Sequence, residues 1–228
     1  NIAMAELDAY ELKNIDPEDI SDVLLKIEKS FDFKFAETEL KDVKTFGELC
    51  GIVVNKVKGD ISNDCTTQQA FYKIRDAITN TLSTDKNSIT PRTDLQQLFP
   101  GHERRKQITE MENLLGFKAK ILCPKYWLTG VLAITTIASF IGLFIFWKVG
   151  LVLLIISIAG LKLSDHLGNE LDVRTLGQLT EKIAREHYKR VRRNNKMVNR
   201  NEIALKVKEI FKQDLYLEDT ALTRDATF

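Results

Sequence analysis

The chain has few residues of the kinds that build reactive centres. Its 228 residues include three cysteines and three histidines. Cys50, Cys65 and Cys123 are odd in number and far apart. That fits neither a disulfide framework nor a metal site, and it points to a reducing compartment. His102, His166 and His187 lack the spacing of metal ligands, and no second ligand type clusters with them. The sequence contains no Gly-rich phosphate loop, nucleophile elbow or paired-carboxylate motif. These absences predict a protein that is not an enzyme and has no catalytic or metal-binding residues. The formal net charge is +1, so no general attraction to nucleic acid is expected.

Charge itself is missing from one stretch. Residues 127–161 carry a single charge, Lys148, and residues 127–147 carry none over 21 residues. A helix of that length reaches about 30 Å, the hydrocarbon thickness of a bilayer. Trp127 and Trp147 stand at its two ends, where interfacial aromatic residues are expected. Residues 149–163 form a second apolar run of only 15, with Lys162 near its end. Snorkelling of Lys148 and Lys162 and thinning of the bilayer would let so short a run cross. One straight helix over 127–161 would measure about 52 Å, too long for a single crossing. The expectation is a two-helix transmembrane hairpin over 127–163, against the alternative of a buried hairpin in a soluble protein.

Outside that block the pattern is helical. Asp16-Pro17-Glu18-Asp19 reads as a helix start, with Asp16 as cap and Pro17 at the first helical position. Ile20, Val23, Leu24, Ile27 and Phe31 follow on one face. Thr45-Phe46-Gly47-Glu48 has the form of a capping box, with Leu49, Ile52, Val53 and Val57 behind it. Residues 59–67 read as a linker. Further helices carry Phe71, Ile74, Ile78 and Leu82, then Ile108, Met111 and Leu115 with Gly116 as the C-terminal cap. Thr175-Leu176-Gly177-Gln178 is a second capping box, opening a helix with Leu179 and Ile183. The last helix carries Ile203, Val207, Phe211 and Leu215. The one doubtful strand is the short alternation at Phe33 and Phe35.

The chain also repeats itself. Asp42-Val43-Lys44-Thr45-Phe46-Gly47-Glu48-Leu49 matches Asp172-Val173-Arg174-Thr175-Leu176-Gly177-Gln178-Leu179, and residues 73–95 align without a gap on 206–228. Glu28-Lys29-Ser30-Phe31-Asp32, the run 33–36 and then Val43-Lys44-Thr45-Phe46 resemble the second half of an acyl carrier protein, gap-free over about 35 residues. Residues 206–228 and 73–95 resemble that family's first helix and the loop after it. The resemblance implies a serine that opens the second helix and carries phosphopantetheine. In this register the serine position is Pro17 in the first copy and Gly101 in the second, neither of which has a hydroxyl to modify. Ser21, one turn deeper, is the fallback. The expected cofactor is therefore none, with phosphopantetheine only if Ser21 is modified.

The expected organisation is all-α. Residues 14–58 with 202–228 would complete one acyl-carrier-like bundle, and residues 68–120 with 172–187 a second, interrupted by the hairpin. Residues 1–3, before Met4, read as an expression scar, and 188–201 as a basic linker. The first bundle could close within one chain as a circular permutation, or between chains as a domain-swapped homodimer. Halves that pack together flank the apolar block in sequence. They must share one side of the membrane, so the crossings are even in number. With no signal peptide after Met4, a bacterial-type inner membrane with cytoplasmic soluble parts is expected. Lys189, Arg190, Arg192, Arg193 and Lys196 are candidates for anionic lipid headgroups, at about 1 kcal/mol each. A solvated helix end is the plainer reading, and nucleic acid is disfavoured because no aromatic platform accompanies the charge.

The leading functional expectation is a membrane-anchored, carrier-like binding or scaffold protein with an unknown protein partner. Asp19, Asp22 and Glu28 would form its acidic docking face, diluted by Lys26 and Lys29. The alternatives are an active membrane-tethered carrier modified at Ser21, and a membrane-resident immunity or regulatory protein.

Overall fold

The computed structural model describes residues 12–228, so the segment read as a scar lies outside the described residues. Asp16 accepts a hydrogen bond from the Glu18 amide, and with Pro17 fixed in the first turn it starts α1 (Pro17–Phe31). Asp32 ends α1 in the left-handed conformation at φ 55°. A reciprocal capping box between Thr45 and Glu48 starts α2 (Phe46–Lys56). The chain continues through β1 (Asp60–Ile61), α3 (Thr66–Leu82), α4 (Leu95–Leu98), α5 (Arg104–Leu115) and β2 (Leu122–Cys123). Two long helices follow, α6 (Tyr126–Ile145) and α7 (Trp147–Leu167). β3 (Glu170–Leu171), α8 (Leu176–Glu186), α9 (Tyr188–Val191), β4 (Met197–Val198) and α10 (Arg200–Asp214) complete the described elements. The protein is mostly helical, and every strand among the described residues is two residues long.

The described chain divides into two compact units, one of residues 12–73 with 180–228 and one of residues 74–179. In the first, α1 contributes Val23, Ile27 and Phe31 to a core shared with Phe46, Leu49 and Val53 of α2 and Ile203, Val207, Ile210 and Phe211 of α10. Phe211 meets Phe46 edge-on at 5.2 Å between ring centroids. The chain beyond α10 returns along the start of α2. Phe46 N–H donates to the Ala226 carbonyl, Gly47 N–H to the Arg224 carbonyl, and Phe228 N–H to the Lys44 carbonyl. A Cβ on Gly47 would lie 2.8 Å from the Arg224 carbonyl oxygen, so the strap passes where only glycine leaves room.

The second unit buries Ile74, Ile78, Leu95, Phe99, Ile108, Met111, Leu115, Leu176 and Leu179. Its own strap lies along the start of α8. Leu176 N–H donates to the Thr93 carbonyl, Gly177 N–H to the Pro91 carbonyl, and Leu95 N–H to the Arg174 carbonyl. Gly116, at φ 79°, ends α5 in the left-handed conformation.

Four details differ from the sequence reading. Phe33 and Phe35 form no strand; their rings pack edge-on at 4.9 Å instead. Residues 59–67, read as a linker, hold β1, which pairs in parallel with β4. Residues 188–201, read as a basic linker, hold α9 and β4 and bury Tyr188, Val191 and Val198. The second apolar helix is 21 residues long, not 15. Its backbone stays helical through Ser164, Asp165 and His166, because polar side chains at a helix end face water without interrupting the hydrogen-bond ladder.

Candidate functional site

α6 and α7 have the length and apolar composition to cross a membrane. Phe146 breaks the backbone between them at φ −134°, ψ 78°. Their large side chains point outward: Ile134 is 69% exposed and Phe144 83%. Small residues are the buried ones. Gly150, Ser157 and Ser164 recur every seventh residue on α7, and Ser139 is buried on α6. Ser139 and Ser157 donate within their own helices, to the Thr135 and Leu154 carbonyls. That keeps the hydroxyls satisfied at an interface where small side chains let backbones approach. At the turn a Cβ on Gly150 would lie 2.5 Å from the Leu143 amide nitrogen. A hairpin that is apolar outside and small and polar inside inverts the pattern of a soluble core helix.

The base of the hairpin is locked. β2 pairs antiparallel with β3, and the Asp172 amide adds a bond to the Ile121 carbonyl. Arg105 donates to the carbonyls of His166 and Gly168, groups that a helix C-terminus otherwise leaves without partners. Arg104, buried, donates to the Phe99 and Asn169 carbonyls. Sequence reasoning missed both arginines; the available signal was an Arg-Arg pair opening an amphipathic helix just before the apolar block. Trp127 and Trp147 are exposed at opposite ends of the hairpin. Lys148 lies 5.7 Å from the Trp147 ring, and Lys162 is exposed.

The two positions matched to the carrier serine differ in setting. Pro17 occupies the first turn of α1. Ser21 is exposed, and its hydroxyl donates to the Pro17 carbonyl at 2.8 Å. It borders a cavity of about 440 Å³ lined by Ile20, Leu24, Leu40, Val43 and Phe228. Gly101 lies in the turn before α5, and its carbonyl accepts from the Asn169 side chain at 2.6 Å. A Cβ there would touch nothing within 4 Å, so packing does not demand glycine.

Two sequence assignments need correction. Arg192 is not a surface contact for headgroups: it is 4% exposed, its guanidinium lies over the Tyr188 ring at 5.5 Å, and it donates to the Thr66 hydroxyl. Arg190, Arg193 and Lys196 are exposed, whereas Lys189 is half-buried and donates to the Lys58 and Asn195 carbonyls. Glu28 does not belong to an exposed acidic face. Its buried carboxylate accepts from the Phe35 amide and Lys34 Nζ, tying the loop after α1 back to the helix. Burial pushes its pKa up, but the Lys34 hydrogen bond, the Phe35 amide and the charges of Lys34 and Lys56 outweigh that and hold it below the usual value. Asp19 and Asp22 remain exposed, and Lys26 pairs with Asp214 at 2.9 Å. Among the described residues no group of three or more His, Cys, Asp or Glu is placed to hold a metal.

No family model, curated protein or solved structure matches the chain.

Proposed function

We propose that this protein is a membrane-anchored, acyl-carrier-like binding or scaffold protein without a prosthetic arm. It has two repeats of one helical bundle, held at a bilayer by the hairpin. The observation that carries this reading is the recurrence of one hydrogen-bond scheme. The bonds of Phe46, Gly47 and Phe228 fall at the same repeat positions as those of Leu176, Gly177 and Leu95. Glu28 and Glu112 add a second parallel, each accepting from the amide seven residues on, Phe35 or Ala119. In this reading the last helix completes the bundle of α1 and α2 within one chain, as a circular permutation, and no swapped dimer is needed. Lys118, Lys120 and Lys125 flank the hairpin base, against Lys148 alone at its turn, which favours a cytoplasmic base at a bacterial-type inner membrane. With Pro17 and Gly101 at the serine positions, the partner is a protein that recognises the bundle surface.

The intact mass of the protein from its native host tests the reading. The expected mass is that of the unmodified chain. An increase of one phosphopantetheine arm, lost in Ser21→Ala, would establish the second reading, a membrane-tethered carrier. That reading has one observation in its favour, the apolar cavity bordered by Ser21.

A further inference from the structure

Lys58, Arg190, Arg193 and Lys196 are exposed cations from two segments far apart in sequence. Lys58 leads from α2 into β1; the other three lie in α9 and the loop before β4. Backbone bonds hold the segments together. β1 and β4 pair in parallel, and Asp60 N–H donates to the Lys196 carbonyl at 2.7 Å. A Cβ on Gly59 would lie 2.5 Å from that same carbonyl oxygen, so the two backbones meet as closely as glycine permits. Lys189, half-buried and near Asp32, acts as a stitch, its Nζ donating to the Lys58 carbonyl at 2.6 Å and the Asn195 carbonyl at 3.1 Å. Lys73 Nζ donates to the Arg190 carbonyl at 2.7 Å, which fixes α9 from a further element.

This face carries little opposing charge. Residues 187–201 contain no acid, and residues 58–64 contain only Asp60 and Asp64. A large aliphatic side chain stands among the cations. Ile61 of β1 is 65% exposed, the most exposed one outside residues 126–167 among the described residues. Its partner in the ladder is Val198, two residues from Lys196. An apolar tip ringed by fixed cations suits a surface of anionic headgroups over an acyl layer. It suits nucleic acid less well, because the neighbouring Tyr188 is buried and offers no face for a base to stack on.

We propose that this face docks on the anionic surface of a bilayer, with Lys58, Arg190, Arg193 and Lys196 against lipid phosphates and Ile61 entering the headgroup layer. The docking rests on the membrane anchor proposed above, not on the carrier likeness: a chain held at a bilayer meets headgroups at high effective concentration, so weak contacts suffice. The test uses the full chain in nanodiscs of phosphatidylcholine, with or without about 30% phosphatidylglycerol. A trace of lipid with gadolinium chelated at its headgroup broadens nearby amide resonances. With phosphatidylglycerol, the amides of Ile61, Arg193 and Lys196 are expected to broaden more than those of Asp19 and Asp22, exposed on α1 of the same unit. Salt at about 0.5 M, where the screening length is about 4 Å, is expected to remove the difference. Arg190→Glu combined with Arg193→Glu and Lys196→Glu is expected to abolish it too, since each cation near the surface contributes about fivefold. A chain that enters the discs but broadens equally with and without phosphatidylglycerol overturns the docking and leaves the anchor standing. A chain that elutes apart from the discs overturns the anchor and the docking with it. A shift of the same amides by single-stranded RNA, with no response to phosphatidylglycerol, assigns the face to nucleic acid and also overturns the proposal. The lipid and salt arms use the unsubstituted protein, so misfolding of the variant does not leave the question open.

Discussion

Each of the two units has a strap of its own along the start of a helix, α2 in one and α8 in the other, and the connections that lead into those helices differ. In the first, 14 residues, 32–45, join α1 to α2; in the second, residues 116–175 join α5 to α8 and contain the whole hairpin. Both connections start from a left-handed residue, Asp32 or Gly116, and are tied back by a buried or half-buried glutamate, Glu28 or Glu112. The longer connection shows what holds the two ends of a long excursion together. Once the glutamate fixes the start of the connection and the strap fixes the next helix, the chain between them is free to leave, provided it returns to the same place. The β2–β3 pair makes it return.

The largest effect is expected in the core of the first unit. Phe211 is fully buried against Phe46 and Phe228. Phe211→Ala should cost about 3–5 kcal/mol. Hydrogen exchange should then quicken in α1 and α2, far away in sequence; a response confined to residues 200–228 would make α10 an independent tail.

The glutamates should give a smaller, matched effect. Glu28→Ala leaves the Phe35 amide without its acceptor and should cost about 1–3 kcal/mol. Glu112→Ala should act alike through Ala119, and chemical denaturation of the two variants compares them. For Glu28 the sign with pH follows from its depressed pKa. Its contribution is present above the unfolded carboxylate value, near 4.3, and is lost as pH falls through the lower folded value. The acid limb of the stability curve should flatten in Glu28→Ala.

The strap glycines sharpen the comparison. A Cβ would lie 2.8 Å from the Arg224 carbonyl at Gly47 but 3.0 Å from the Pro91 carbonyl at Gly177. Gly47→Ala should destabilise by about 1–2 kcal/mol and Gly177→Ala by less, read by thermal denaturation. The smallest effect is chemical. Burial pushes the Cys50 thiol up to about 11, so at pH 8 Cys50 should alkylate far more slowly than exposed Cys65. Mass spectrometry after a short iodoacetamide pulse checks this.

Much of this was legible in the sequence because it depends on local chemistry. The two capping boxes, Pro17 at a helix start, Gly116 at a helix end and the uncharged run all act within a turn or two of themselves. What was not legible depends on partners far away in the chain. Glu28 read as an acid on an exposed helix face because nothing nearby announces that residues 34 and 35 fold back onto it. Arg192 read as one cation in a basic run because the residues that bury it, Asp64, Thr66 and Tyr188, belong to a supposed linker and to a tyrosine with no local signal. The two-residue strands are below the length at which alternation is visible.

In the function proposed above, the hairpin is an anchor inserted into a bundle that closes without it. Leu122 and Cys123 pair with Leu171 and Glu170 across its base. Residues 124–169 can therefore be replaced by Asn-Gly, the dipeptide that closes a two-residue antiparallel turn. The shortened chain is expected to be soluble without detergent, to stay helical and to melt cooperatively, while the full chain stays with membranes after an alkaline wash. A full chain released by that wash, or a shortened chain that loses its cooperative transition, would contradict it.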